Sequence, residues 1–279
     1  MDSIHHLHPR SSSNQLHKVE PKTYNWKYLN FTMMKLAAGV SYEEDIKGRE
    51  MALVPLSGRF EVEIAAETFS LSRSGVFDQM PEVLYIPPNH KITIRATANC
   101  ELALGGAPAE GKYPLRLFKP NEMKQEVRGG GPARRQVNHI LAHPLPAERL
   151  ILFEVYVPGG AWSGWPPHCH DGFDGSPYLE ETYFYRFQPE AAGFAFHRNY
   201  RVDEDFDEVF SVRHNDLVLV TRGFHPTVAS PGSAMFFLNY LAGDLLNDER
   251  ATPPLEDKDW SYMRKDNKWD DNRFSLPRF

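Results

Sequence analysis

The sequence predicts an all-β chain with few helices, folded as two barrels in tandem, and three observations carry that prediction. The apolar segments are short and rich in β-branched and aromatic residues, the signature of strands joined by turns. Among 279 residues, 22 prolines and 19 glycines are spread throughout and leave no room for long amphipathic helices. The two halves also echo each other, which points to a repeated unit.

Taken in chain order, the opening "MDSIHHLHPRSSSNQ" reads as a mobile N-terminal segment through residue 22, with metal capture by His5, His6 and His8 as a secondary use. A first barrel is expected over 23–130, with strands in "MALVPLSGRFEVEIA" (51–65) and "EVLYIPPNHKITIRA" (82–96). The glycine-rich "VRGGGPARR" (127–135) reads as the linker. A second barrel is expected over 131–243, with strands in "LILFEVYV", "ETYFYRF", "DLVLVTRGFH" and "AMFFLNYLAG". The polar tail, 244–279, carries Trp260, Trp269 and Phe274, which are expected to clamp it to the body or to a neighbouring subunit. The echo matches Glu50, which opens a strand running to Gly58, with Glu181, and His90 with His225.

Composition excludes several classes. Hydrophobic residues at 41% and charged residues at 24% describe an ordinary globular chain. No apolar run approaches the ~20 residues of a membrane-spanning helix, and the opening has no apolar signal core, so a cytoplasmic location is expected with no membrane partner. Two cysteines, Cys100 and Cys169, give no disulfide framework, which suits a reducing compartment. A net charge of −6, with one short basic cluster at 128–136, argues against a nucleic-acid partner. Flat barrel faces and edge strands point to a homo-oligomer, a dimer or higher.

The chemistry concentrates in "WPPHCHDGFDGSPYLEETYFYRF" (165–187). Alternate residues of a strand share a face, so His168 and His170 point together and Cys169 points away. The same rule groups Glu181, Tyr183, Tyr185 and Phe187 on one face, with Glu180, Thr182, Phe184 and Arg186 on the other. "DGFDGSPYLE" is a loop long enough to fold over that site. His225 follows Gly223 at the end of a further strand. Three imidazoles and one carboxylate suit a divalent ion with positions open to a substrate, and the donor set accepts zinc, manganese, iron, nickel or cobalt. In the first half "VSYEEDIKGRE" stands where the histidine pair would be, so Glu43, Glu44, Glu50 and His90 are either a degraded second metal site or part of an empty structural barrel. The latter is expected.

"HCH", then Glu181, then "DLVLVTRGFHPTVASPGSAMFFLN" resembles the paired motifs of the cupin superfamily, whose jelly-roll barrels are double-stranded β-helices. More narrowly, "NHIL", "FEVYVPGGAWSGWPPHCHD", "LEETYFYRF", "GFAFHRNY", "GFHPTVASPG" and "FFLNYLAG" are similar to the 5-deoxy-glucuronate isomerase family of bacterial inositol catabolism. The likeness is dense over 138–243 and looser over 25–135. It implies a bicupin that binds a divalent metal, zinc first, through His168, His170, Glu181 and His225. It implies an aldose–ketose isomerase acting on a deoxyuronic acid: 5-deoxy-D-glucuronate would become 5-dehydro-2-deoxy-D-gluconate by proton transfer through an enediol. The base is open among Tyr183, Tyr185, His197 and a hydroxide on the metal. His197 stands where the family generally has glutamine.

The substrate carboxylate calls for an arginine fork. Strand alternation in "GFAFHRNY" puts Arg198 forward, Arg222 is the alternative, and Asn239 closes the second motif as a further substrate contact. Two other classes fit the same ligand set: an iron and oxygen-using dioxygenase, and a non-catalytic sugar-binding cupin.

Overall fold

A computed structural model describes residues 4–10, 13–267 and 269. Its strand pairings are all antiparallel. In the first half a nine-stranded sheet is organised around the long strand Arg49–Ile64, which pairs with Cys100–Pro108 on one side and Val83–Ile86 on the other. In the second half a seven-stranded sheet places Leu179–Gln188 between Leu217–Val220 and Ala234–Gly243, with Ile151–Val157 beyond. A four-stranded sheet, containing Phe194–Tyr200 and Thr227–Ala229, faces it and closes the second barrel.

Three apolar layers follow from the strand alternation. Leu53, Phe60, Ile92 and Leu102 fill the first barrel. Tyr183, Tyr185, Phe187, Val218 and Phe237 fill the second. Between them lies a layer shared by both halves, where Phe31, Tyr85 and Ala103 meet Phe184, Leu219, Phe236 and Tyr240. Tyr183 and Phe184 are neighbours in sequence yet belong to different layers, as the pleat requires.

Two buried carboxylates lock the halves together reciprocally. Glu180 accepts backbone N–H bonds from Lys27, Tyr28 and Leu29 at 2.6, 2.9 and 2.8 Å, and a further bond from the Tyr178 hydroxyl. Glu50 accepts the same set from the other side: backbone N–H groups of Glu148, Arg149 and Leu150 at 2.8, 2.6 and 2.7 Å, and the Tyr85 hydroxyl. A third buried link is the two-point ion pair of Arg73 with Glu154, at 2.6 and 3.1 Å, both side chains fully buried.

The structure corrects the sequence reading in three places. Residues 6–7 and 15–19 are strands: His6–Leu7 joins the edge of the second half's sheet, and Gln15–Val19 joins the first half's. His6 and His8 each meet Asp216, at 2.9 and 3.0 Å, so this segment is held on the body by polar contacts. The glycines at 129–131 do not link the halves. Lys124–Arg128 already pairs with Arg135–Leu141, so they close a hairpin inside the second sheet. Finally, Glu50 corresponds to Glu180: Glu50 pairs with Ala107 where Glu180 pairs with Ala242, which puts Met51 at the position of Glu181. Of the other first-half candidates, His90 turns its Nδ1 to the carbonyls of Pro87 and Pro88.

Removing the Glu180 carboxylate leaves three backbone donors without their acceptor. At about 1–3 kcal/mol for each unpaired buried donor, offset where water reaches Lys27 and Tyr28, Glu180→Ala should cost about 3 kcal/mol and Glu180→Gln about half that. Urea denaturation checks this; a loss below about 1 kcal/mol in Glu180→Ala would rule out the clamp.

Candidate metal centre

Strand Leu179–Gln188 delivers Glu181 to the inside of the second barrel, opposite in sense to Glu180. His170 follows the short strand His168–Cys169, and His225 follows a turn after Leu217–Val220. That turn depends on Gly223, whose φ of +83° and close approach to the Tyr200 carbonyl leave no space for a Cβ. Gly223 also anchors both sides of the turn: its N–H donates to Asp171 at 2.8 Å, and its carbonyl accepts from His225 Nδ1 at 3.0 Å.

His170, Glu181 and His225 are all buried, and their ligand atoms lie within 4.8 Å of one another. His170 Nδ1 donates to the Leu179 carbonyl at 3.0 Å and its Nε2 faces Glu181 Oε2 at 2.9 Å. His225 Nε2 stands 3.3 Å from the same oxygen, buried and without a hydrogen-bond partner. With both Nδ1 protons committed to carbonyls, the neutral rings turn lone pairs toward a carboxylate. That arrangement is repulsive unless a cation sits among them, and a divalent ion satisfies all three groups. His168 stands beside this trio, its ring 4.7 Å from that of His225 and 6.3 Å from that of His170.

The electrostatics agree. Burial, reinforced by His225 and His170, holds His168 well below the ordinary histidine value, so it is a neutral donor. Burial alone would push His170 down, but the Glu181 carboxylate beside it raises it, so a proton and a divalent cation compete for its Nε2. Burial would push Glu181 up, yet the close approach of His170 and His225 brings it to about 2. The carboxylate is ionised across the whole physiological range. Cys169 turns away into a separate apolar cluster with Tyr200 and Phe224, and burial pushes its thiol up to about 12.

The centre opens onto a cavity of about 690 Å³ whose wall includes Tyr183 and Asn239. Tyr183 packs edge-on against the rings of His225 and His197. Burial, with the Glu181 charge, keeps its phenol protonated well past neutrality. Asn239 donates its amide to the Thr182 carbonyl at 3.1 Å.

The remaining candidates lie elsewhere. Tyr185 and His197 are buried behind the cavity wall in a closed chain: the Tyr185 hydroxyl meets His197 Nδ1 at 2.6 Å, and His197 Nε2 meets Asn199 Oδ1 at 2.9 Å. Burial drives His197 down to about 3, so it is a neutral structural ring with both nitrogens engaged. Arg198 is exposed and paired with Asp207 at 2.6 and 2.8 Å, because Ala195, His197 and Asn199 occupy the inner face of their strand. Arg222 is exposed over the Phe206 ring and paired with Glu204. Neither arginine reaches the cavity.

Other residues of the cavity wall escaped the sequence reading. Arg135, Val137 and His139 line it from alternate positions of Arg135–Leu141. The period-two pattern was there to be read, but nothing local marked that strand as part of a site. The tail contributes Arg250, Thr252, Glu256 and Trp269. Leu255–Glu256 pairs with His168–Cys169, and Trp260 stacks near Trp165, so the tail packs on the body. Phe274 lies outside the described residues.

Comparison with known proteins adds the following. The KduI/IolB family matches residues 4–262. A 5-deoxy-glucuronate isomerase of Geobacillus kaustophilus is 36% identical over 259 residues, covering 91% of this chain and 92% of that protein. One from Bacillus subtilis (strain 168) is 34% identical over 235 residues, covering 82% and 86%. The crystal structure of an IolB-like protein from Salmonella typhimurium aligns with a TM-score of 0.88 at 32% identity, covering 94% of this chain and all of that one. A point variant of Bacillus subtilis oxalate decarboxylase aligns at 0.64 with 14% identity, covering 94% and 82%, which establishes the two-barrel cupin fold alone.

The purified protein should carry one equivalent of divalent metal per chain at this centre. Glu181→Gln and His225→Ala should each lower metal affinity at least about 10–100-fold, the range already seen for loss of a mere supporting contact. Elemental analysis after dialysis measures this; wild-type-like metal content in both variants would exclude the centre.

Proposed function

The chain belongs to the KduI/IolB family, and from that membership we propose that it is an isomerase that converts 5-deoxy-D-glucuronate to 5-dehydro-2-deoxy-D-gluconate in myo-inositol catabolism. The single observation that carries this reading is the His170–Glu181–His225 cluster opening onto a sugar-sized cavity, in a chain about one-third identical to enzymes of that name along most of its length.

The reaction moves a proton from the hydroxyl-bearing carbon to the neighbouring aldehyde carbon, and a second proton between their oxygens, through an enediol. A divalent ion, zinc first, held by His168, His170, Glu181 and His225 would polarise the carbonyl and the adjacent hydroxyl and so favour charge developing on oxygen. The protein supplies the rest. The Nδ1 bonds to Leu179 and Gly223 fix the ring planes of His170 and His225. Tyr183, held protonated by burial beside Glu181, keeps a proton on its phenolic oxygen at the cavity wall for delivery to a substrate oxygen. Val137, Phe153 and Phe237 give the cavity apolar walls that limit water around the intermediate.

A cytoplasmic location fits the two buried free cysteines, and no described helix is long and apolar enough to cross a membrane. A homo-oligomer fits the apolar patch of Phe194, Phe196 and Val209 on the outer face of the four-stranded sheet.

Incubation with 5-deoxy-glucuronate in deuterated water, followed by NMR, tests the reaction. The expected outcome is ketose formation with deuterium on the carbon that receives the proton, abolished by chelation and restored by metal. Stoichiometric oxygen consumption, or binding without turnover, would overturn the isomerase reading. Tyr183→Phe should lower kcat about 100-fold at unchanged metal content; an unchanged kcat would remove Tyr183 from the chemistry.

A further inference from the structure

We propose that Arg135 and the cavity wall around it form a subsite for the carboxylate of a small sugar acid. This rests on the proposed reaction for the identity of the sugar, but the subsite itself rests on the geometry of the arginine.

Arg135 opens the strand Arg135–Leu141 and lines the cavity shared with His168, His170, Glu181 and Tyr183. Of its guanidinium nitrogens, Nη1 alone is engaged, donating to the carbonyls of Ala133 at 3.0 Å and Trp165 at 3.1 Å. Nε is buried with no partner, and both side-chain hydrogen bonds that Arg135 makes among the described residues come from Nη1. Nε and Nη2 form one edge of the planar fork, the edge that meets both oxygens of a carboxylate side-on. The engaged Nη1 fixes the orientation of that open edge.

No described carboxylate lies within ion-pair distance of Arg135. The acids near enough to influence it are already taken: Glu126 by Lys124, Arg128 and His139, and Glu256 by Arg264. The other arginines of the interior are charge-paired or spent on carbonyls, although Arg186 also leaves its Nε without a partner. Arg73 holds Glu154, Arg186 holds Glu101, and Arg250 spends its donors on the carbonyls of Leu145, Ala147, Asn247 and Leu150. Arg135 is itself half-buried with its Nε enclosed, and a cation that finds no counter-ion among the described residues marks a place where a ligand can supply the missing charge. Burial pulls the Arg135 pKa down to about 10, assisted by repulsion from Arg128, so the group remains charged at neutral pH.

The surroundings are built for this side chain. Gly129, at φ +71°, closes the hairpin against it: an added Cβ would collide with the Ala133 carbonyl and stand 2.8 Å from Arg135 Nη1. Arg135 lines the same cavity as His168, His170, Glu181 and Tyr183, so a sugar acid anchored there has its other carbons in the cavity that reaches the candidate metal centre. Arg135 takes the role that strand alternation assigned to Arg198.

The test uses the full-length, metal-loaded protein. Losing a two-point charged hydrogen bond should raise the KM for 5-deoxy-glucuronate about 10–100-fold in Arg135→Gln, with a smaller change in kcat and metal content retained. Arg135→Lys, which keeps the charge but not the fork, should show a smaller rise; should Arg135→Gln fail to fold, it carries the test. Arg198→Ala, at an exposed ion pair, should leave KM unchanged. Calorimetry with D-glucuronate and D-glucose as probes separates this proposal from the reaction. The wild type should bind the acid at least tenfold tighter than the neutral sugar, and the arginine variants should lose that preference. A KM within twofold of wild type in folded variants, or glucuronate binding indifferent to Arg135, would overturn the subsite and leave the isomerase intact. Absence of wild-type turnover with Arg135-dependent glucuronate binding would overturn the isomerase reading and support the subsite.

Discussion

One pleat in the strand Leu179–Gln188 separates two adjacent carboxylates, and most of the molecule depends on it. Glu180 faces the layer shared by the halves and gathers the backbone N–H groups of Lys27, Tyr28 and Leu29. Glu181 faces the second barrel and gathers His170 and His225. Both are buried, and a buried charge without partners is expensive. A slip of the strand by one residue would exchange their surroundings and strip both of their partners at once, so the register is fixed by electrostatics as well as by apolar packing. Assembly of the halves and assembly of the site are therefore set by the same backbone geometry.

The duplication keeps one of these functions and drops the other. Glu50 makes in the first half the clamp that Glu180 makes in the second, down to the supporting tyrosine hydroxyl, Tyr85 or Tyr178. At the next position Met51 replaces the counterpart of Glu181 and joins the apolar filling of the first barrel. The clamp is needed on both sides because each half covers the other's backbone donors ahead of a central strand. The ligand carboxylate is needed once, and a barrel without it is filled with hydrophobic side chains.

This division explains what could be read from the sequence. Alternation alone separated Glu181, Tyr183 and Tyr185 from Glu180 and Phe184 and turned Cys169 away, because both faces of that strand are buried and each side chain has a fixed place. The same rule failed at Phe194–Tyr200, whose large aromatics look inward-facing. There the inner face holds Ala195, His197 and Asn199, and Phe194 and Phe196 are 38% and 50% exposed. The polar inner face is stable because Tyr185, His197 and Asn199 satisfy one another, a pairing across two strands that the alternation of one strand does not show. Glu50 misled for a similar reason: its partners, residues 148–150, lie nearly a hundred positions away. The N-terminal histidines resembled a loose terminus because their acidic partners, Glu208 and Asp216, lie about twice as far away along the chain.

The tail shows how such remote contacts complete the centre. His168 sits on a strand of two residues, too short to hold its own position. Its support comes from Leu255–Glu256, which pairs with it, and from Asp257, which donates its N–H to the Pro167 carbonyl at 2.8 Å and accepts the Tyr200 hydroxyl at 2.5 Å. Arg250 fixes the start of this segment by donating to carbonyls of the loop between Leu145 and Leu150. That loop leads into residues 148–150, whose N–H groups Glu50 holds. A continuous set of polar contacts thus runs from the clamp of the first half, through Arg250 and the tail strand, to a histidine of the candidate metal centre. The first barrel, though it lacks the glutamate, helps to position the site by holding the segment on which the tail is anchored.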